Sequence, residues 1–145
     1  MKITSKWRYA LIIMMEIALL HNVNHVSLKT LSANQNISLK FSEQIVRSLC
    51  RNGLLRSVRG SRGGYMLTKD PAKYTIGEIL RITENSLISI DELAIGPLQK
   101  TSAYDSVTAN FFRGLNEVID RYVDSITLDD LAQVYQEQAA NDYVI

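Results

Sequence analysis

The sequence predicts a mainly α-helical chain with a small β-hairpin wing: a winged helix-turn-helix plus a long dimerisation helix. Three observations carry that expectation. Two short capped helical segments meet at a tight turn between residues 27 and 52, two β-prone runs around a glycine-rich tip follow at once, and a periodic apolar stripe runs from Tyr104 to Val123. The first two stand in the order that a helix-turn-helix and its wing require. The third is longer than a small winged domain can cover by itself.

The elements follow from local chemistry. Ser5 to Asn22 reads as a helix, with Trp7, Ala10, Leu11, Met14, Ala18 and Leu19 recurring at three- and four-residue steps. It is apolar around much of its circumference, so it needs cover from its own domain and from a later element or a second chain. Ser27 caps a short helix to Ala33 that ends at Asn34-Gln35-Asn36. Ser38 caps the next, whose apolar face is Phe41, Ile45, Val46 and Leu49 and whose stop signal is Asn52-Gly53. Its other face carries Lys40, Glu43, Gln44, Arg47 and Arg51. Leu54 to Val58 and Tyr65 to Thr68 are β-prone runs flanking Arg59-Gly60-Ser61-Arg62-Gly63-Gly64, a hairpin whose glycines allow positive φ at the tip. Pro71 closes this unit, and Tyr74 to Glu84, capped by Thr75, reads as a fourth helix.

Periodicity fades from Asn85 to Ser102, which reads as an extended piece and a loop broken at Gly96-Pro97. In the stripe beyond it, Tyr104, Val107, Phe111, Leu115, Val118 and Tyr122 follow helical spacing. Twenty helical residues span about 30 Å, a length suited to pairing with a second copy of itself, with a core helix inside one chain as the alternative. Thr127 to about Gln138, with Asp129 and Asp130 in its first turn, is a last helix. The expected organisation is a winged helix-turn-helix domain over residues 1–84, a linker or effector loop over 85–103, and the dimerisation and C-terminal helices over 104–145.

Composition bounds the function. The 145 residues carry a net charge of +1, with 46% hydrophobic and 21% charged residues, which fits one soluble globular domain and excludes disordered and collagenous classes. The near-neutral total hides a split: eleven basic against three acidic residues give +8 over residues 1–70, and five against twelve give −7 over 71–145. A basic first half points to a polyanion. The longest apolar run, Tyr9 to Leu20, is interrupted by Glu16 and falls short of the roughly 20 residues of a membrane span. A single cysteine and no export signal point to a reducing, cytoplasmic setting.

Catalysis finds little support, and a ligand-carrying enzyme is a distant third reading. His21 and His25 have no cysteine or paired carboxylate beside them, no nucleophile elbow, phosphate loop or zinc-protease motif occurs, and Asp91-Glu92 and Asp129-Asp130 are neighbours whose side chains diverge. Cys50, four residues after Val46, reads as a packed thiol, while Arg47 and Arg51 nearby leave open a lowered pKa and a redox role. Binding is better supported. Lys and Arg neutralise phosphates, Gln and Glu on a groove-facing helix read base edges, and an arginine on a narrow wing enters a minor groove. A protein-interaction module that uses the winged helix to dock a partner is the alternative, separable by salt dependence.

Four blocks add a resemblance: Lys2-Ile-Thr-Ser-Lys-x-Arg-Tyr-Ala10; Ile37-Ser-Leu with Glu43-Gln44 and Asn52-Gly-Leu-Leu; Ser57-Val-Arg-Gly-x-x-Gly-Gly-Tyr-x-Leu67 leading into Thr75-Ile-Gly-Glu-Ile; and Ile126-Thr-Leu-x-x-Leu131. Over nearly its whole length the chain resembles Rrf2-family transcriptional regulators. The resemblance implies a homodimer on a pseudo-palindromic operator, a repressor's role, recognition helices in successive major grooves, Ser38, Glu43 and Gln44 near bases, and Arg59 and Gly60 at the minor groove. Lys40 and Phe41 depart from the family's usual Ser and Tyr, and Trp7 from its Gly. Iron-sulfur members hold their cluster with three cysteines between the fourth helix and the dimer helix, where this chain has none, so it resembles the cluster-free, cysteine-metabolism-repressor-like branch.

The candidate DNA-facing residues are therefore Lys6, Arg8, Ser38, Lys40, Phe41, Glu43, Gln44, Arg47, Arg56, Arg59, Gly60, Ser61 and Arg62. The candidate dimer seam is Tyr104, Val107, Phe111, Leu115, Val118 and Tyr122. Expected partners are double-stranded DNA, a second copy of the chain, and an effector that is a small molecule or a protein, with no membrane, metal or cofactor.

Overall fold

The computed structural model describes residues 4–20, 25–83 and 102–142. In chain order these form α1 (Ser5–Leu20), α2 (Leu28–Gln35), α3 (Leu39–Arg51), a hairpin of β1 (Leu55–Val58) and β2 (Gly64–Leu67), a 3-10 turn (Pro71–Lys73), α4 (Ile76–Thr83), α5 (Ala103–Asp124) and α6 (Leu128–Asp142). This is the expected winged helix-turn-helix with a long helix behind it. The extended piece and loop expected before Ser102, and with them most of the effector loop, lie outside the described residues.

Helix α1 is the centre of the packing. Trp7, Ala10, Ile13, Met14, Ile17 and Ala18 are all buried, and α3, β2, α4 and α6 lie against it. Ile13 and Ile17 bury fully where the three- and four-residue pattern picks out Leu11 and Leu19, which stay half-buried. A helix covered from several directions has no single apolar face for periodicity to find. Glu16, the one acid in this run, accepts hydrogen bonds from Asn34 Nδ2 and, at 3.0 Å, from Gln35 Nε2, and so ties α1 to the end of α2.

The helix-turn-helix is built from caps. Ser27 Oγ accepts from Thr30 N and Ser38 Oγ from Phe41 N, each at 3.1 Å, satisfying N–H groups that a helix start leaves without partners. Between them Asn36 adopts φ 51°, a left-handed conformation that Asn tolerates, and Ser32 Oγ donates to Ile37 O at 2.6 Å. Helix α3 is strongly amphipathic, burying Ile45, Val46 and Leu49. Its partner strands pair antiparallel with Leu55 opposite Leu67 and Ser57 opposite Tyr65. Tyr65 also exchanges backbone hydrogen bonds with Val26 at 2.8 and 2.9 Å, which anchors the wing on the far side of β2. A side chain at Gly64 would collide with the Val26 carbonyl, so this approach needs glycine.

Pro71, after the hairpin, opens the 3-10 turn: it is buried, and Asp70 caps the turn through Ala72 N at 2.9 Å. The turn delivers Tyr74 into the core, fully buried. Its hydroxyl donates to Leu54 O at 2.9 Å and accepts from Thr68 N at 2.8 Å and Lys69 N at 3.1 Å, joining the end of α3, the exit of the wing and the start of α4. Backbone bonds from Ile76 N to Ile126 O and from Leu128 N to Tyr74 O, both 2.9 Å, bring the chain back after α5. Helix α6 then lays Leu128 and Ala132 against the same core and runs to Asp142, past the expected end at Gln138.

Replacing Tyr74 with Phe removes the acceptor of Thr68 N and Lys69 N and one of the two donors to Leu54 O, the other being Thr68 Oγ1 at 3.3 Å. Tyr74→Phe is expected to lower stability by about 1–3 kcal/mol in urea unfolding without changing the slope, because a buried donor or acceptor left unpaired costs that much. An unchanged midpoint would show that the hydroxyl holds nothing together.

Candidate nucleic-acid interface

The amphipathic period that buries Ile45, Val46 and Leu49 turns Lys40, Glu43, Gln44, Arg47 and Arg51 outward. With Ser48 and with Lys6, brought in from the first turn of α1, they line one open groove of about 390 Å³. Lys6 comes close because Trp7, the next residue, is buried in the core. The groove holds four cations and one carboxylate. Ser48 and Arg51 belong to it although the candidate set omits them; Arg51 stands one turn after Arg47, the signal by which it is found.

Within the groove, Arg47 Nη2 lies 2.7 Å from Glu43 Oε1, with the two side chains 67% and 48% exposed. So exposed a pair contributes between about 0 and 1 kcal/mol, and either member can leave it for a better partner. Ser38 sits at the front of α3 with its hydroxyl engaged in the cap. Phe41 is half-buried, its ring edge-to-face with Tyr9 at 5.8 Å, so it braces α3 against α1. Arg8 is exposed on α1 with its guanidinium carbon 5.9 Å from the centre of the Tyr9 ring.

The wing supplies a second set. Arg56 projects from β1, and Arg59, Gly60, Ser61 and Arg62 are exposed at the tip. The turn is tight because Gly60 takes φ 124°, its carbonyl accepts from Gly63 N at 2.9 Å, and a side chain at Gly63 would strike the Val58 carbonyl. Ser61 and Arg62 share a shallower groove with His25, Ser27 and Thr30 near the start of α2. The geometry thus brings Lys6, Lys40, Glu43, Gln44 and Arg47 to one groove and Arg59 to Arg62 to the wing tip. It leaves Arg8, Ser38, Phe41 and Arg56 outside both.

Behind the groove, β2 places Tyr65 beside α3. Its phenol is held above the usual range first by burial, then by Cys50 and Glu43, with Arg47 opposing. Burial likewise raises the Cys50 thiol. The lowering by Arg47 and Arg51 that adjacency in sequence suggests is absent, because those guanidinium groups are solvated while the sulfur is partly desolvated.

Helix α5 has no buried residue. Tyr104 is 85%, Phe111 66% and Tyr122 66% exposed, and Val107, Leu115 and Val118 are also exposed. The missed start signal is Ser102-x-x-Asp105, a capping box in which Ser102 Oγ accepts from Asp105 N at 3.2 Å and Asp105 Oδ2 accepts from Ser102 N at 3.0 Å. No helix among the described residues is long and apolar enough to cross a membrane.

Residues 3–134 match the Rrf2 family, described as iron-dependent transcriptional regulators. The chain is 34% identical over 132 residues to the transcriptional regulator CymR of Bacillus subtilis strain 168, covering 91% of this chain and 90% of that one. It is 35% identical over 131 residues to the regulator IscR of Klebsiella pneumoniae strain 342, covering 90% of this chain and 79% of that one. The solved structure of CymR (YrzC), the global cysteine regulator of B. subtilis, superposes with a TM-score of 0.76 at 33% identity, covering 92% of this chain and 98% of that one.

A raised thiol pKa leaves less thiolate at neutral pH, and the thiolate is the reactive form. Cys50 is expected to react with iodoacetamide more slowly in the folded chain than in the same chain unfolded in denaturant, with the gap closing as pH rises above the ordinary thiol range. A folded thiol that reacts faster at pH 7 would mark a sensor cysteine.

Proposed function

The chain belongs to the Rrf2 family and is a transcriptional regulator of that type, and from that premise we propose that it acts as a homodimer on double-stranded DNA with a pseudo-palindromic operator. The observation that carries this reading is the groove, where Lys6 from α1 and Lys40, Gln44, Arg47 and Arg51 from one face of α3 meet. Phosphates meet the lysines and arginines, while Gln44 and Glu43 reach base edges; Glu43 exchanges its bond to Arg47 for a cytosine amine where the sequence offers one. The tip arginines, on a loop kept narrow by Gly60 and Gly63, suit a minor groove. Residues 1–84 carry this contact and residues 104–145 the pairing, with repression following from occupancy of the operator and relieved by a small-molecule or protein effector.

Pairing rests on α5. A 22-residue helix is about 33 Å long. An apolar stripe of that length open to water marks an interface, and half-sites one helical turn apart lie about 34 Å from each other. The donor set does not suit the iron-sulfur cluster that the family's description invites. Such a cluster needs several thiolate anchors, and the whole sequence has one cysteine, placed in α3 with its thiol raised. We therefore assign the chain to a cluster-free mode of regulation.

Duplexes selected from a random pool by the full-length chain test this reading. Log K should fall linearly with log salt at about −0.9 per phosphate neutralised, and Arg59→Ala should weaken binding by about 1–3 kcal/mol. Affinity indifferent to salt would remove DNA as the partner and leave a protein-docking module. The pairing is tested separately: Phe111→Glu with Val118→Asp should convert a sedimenting dimer to a folded monomer, and a dimer that survives both substitutions places the seam elsewhere.

A further inference from the structure

Among the described residues α5 is held at one end only. Helix α4 packs against it, and the polar contacts between the two gather at the last turns of α5. Arg81, in the last turn of α4, donates from Nη1 to Asp124 Oδ1 at 2.8 Å and from Nη2 to Asp124 Oδ2 at 2.9 Å, a parallel two-bond grip. Its Nη2 also donates to Asp120 Oδ1 at 2.9 Å, and the other oxygen of Asp120 is held by Asn116 at 3.1 Å.

Gly77, one turn before Arg81, makes the room. A side chain there would overlap Asp124 Oδ1, crowd Arg81 Nη1 and stand 3.0 Å from Val123 Cγ2, so glycine leaves the space that the Arg81–Asp124 grip occupies. Immediately after Asp124 the backbone pairing of Ile126 and Leu128 with Ile76 and Tyr74 closes the other side of the joint.

We propose that this clasp sets the angle at which the dimerisation helix leaves the winged helix, and through it the half-site spacing that the dimer accepts. The inference rests on the DNA-binding, dimeric reading of the chain. Arg81 and Gly77 are positioning residues: neither lines the basic groove, and they act through the direction of α5. Leverage makes the joint consequential. A tilt of about 10° at the base carries the far end of a 33 Å helix through roughly 6 Å. One base pair of spacer displaces the second half-site by only about 3.4 Å and turns it by about 35°. A joint loosened by such an amount no longer tells one spacer from the next.

The test uses duplexes selected by the wild-type chain, rebuilt with the spacer between half-sites lengthened or shortened one base pair at a time, and read by fluorescence anisotropy. Wild type should prefer one spacer by about tenfold or more, because a rigid link raises the effective concentration of the second winged helix at that spacing alone. Arg81→Ala, still dimeric by sedimentation, should flatten the preference to less than about threefold while each single half-site binds as before. Arg81→Lys, which keeps the charge without the parallel grip, should lie between. The swap Arg81→Asp with Asp124→Arg should restore a sharp optimum, an outcome that a loss of general stability does not produce. If wild type is sharp and the dimeric Arg81 variants remain equally sharp, the clasp does not set spacing, while the DNA-binding reading stands. If wild type itself shows no preferred spacer, both the operator reading and this proposal fall.

Discussion

The burial of α1 is the constraint on which the other elements depend. Its apolar residues point in several directions, and each direction has to be closed by something: α3 through Ile45, Val46 and Leu49, the hairpin through Leu55 and Leu67, α4 through Ile79, and the returning chain through Leu128. Each cover delivers a working part to a fixed place. Packing α3 down turns its charged face out, packing β2 down aims the wing, and burying Trp7 leaves Lys6 at the edge of the groove. Apolar burial is non-directional, so it supplies the drive, while caps and polar ties choose the arrangement. Glu16 is such a tie, reaching from the middle of α1 to the amides of Asn34 and Gln35.

Helices α1 and α5 are opposites. One, of 16 residues, buries six of them; the other, of 22, buries none and holds its aromatic side chains in water. Hydrophobic surface of that extent is unfavourable in a free monomer and becomes favourable when a second surface removes it from solvent. The charge split follows the same division of labour. The positive excess of residues 1–70 gathers at the groove and tip, and two of the acids of the second half, Asp120 and Asp124, share one cation of α4, Arg81.

What the sequence discloses is what local chemistry determines. Ser27, Ser38, Thr75 and Thr127 announce helix starts because a cap bonds its own first turn. The wing is legible because its turn needs glycine at Gly60 and a close approach at Gly64. The outer face of α3 is legible because its inner face is cleanly apolar. The rest depends on partners far away in the chain. The pairing of Glu16 with Asn34 and Gln35, the Tyr74 hydroxyl on Leu54, and Arg81 on Asp120 and Asp124 each span 18 residues or more, and no spacing rule announces them. Cys50 shows the same limit from the other side. Its neighbours in sequence are arginines, yet their charge is spread into water while the sulfur sits against packed side chains, so burial decides its chemistry.

The joint between α4 and α5 separates stability from geometry. Arg81 and its two carboxylates are each more than a third exposed, and ion pairs in that setting add little to folding free energy. Asp124 nevertheless titrates below the usual carboxylate range, first because Arg81 hydrogen-bonds it, so the grip persists at every pH at which its aspartate is charged and is lost only as pH falls through that lowered value. Two parallel bonds from a planar guanidinium define a direction as well as a distance, and Gly77 leaves clear the space in which they form. A contact of this kind constrains angle far more than it adds to stability. That is the property the proposed role requires, where a core already folds the domain and what remains is the direction of a 22-residue helix.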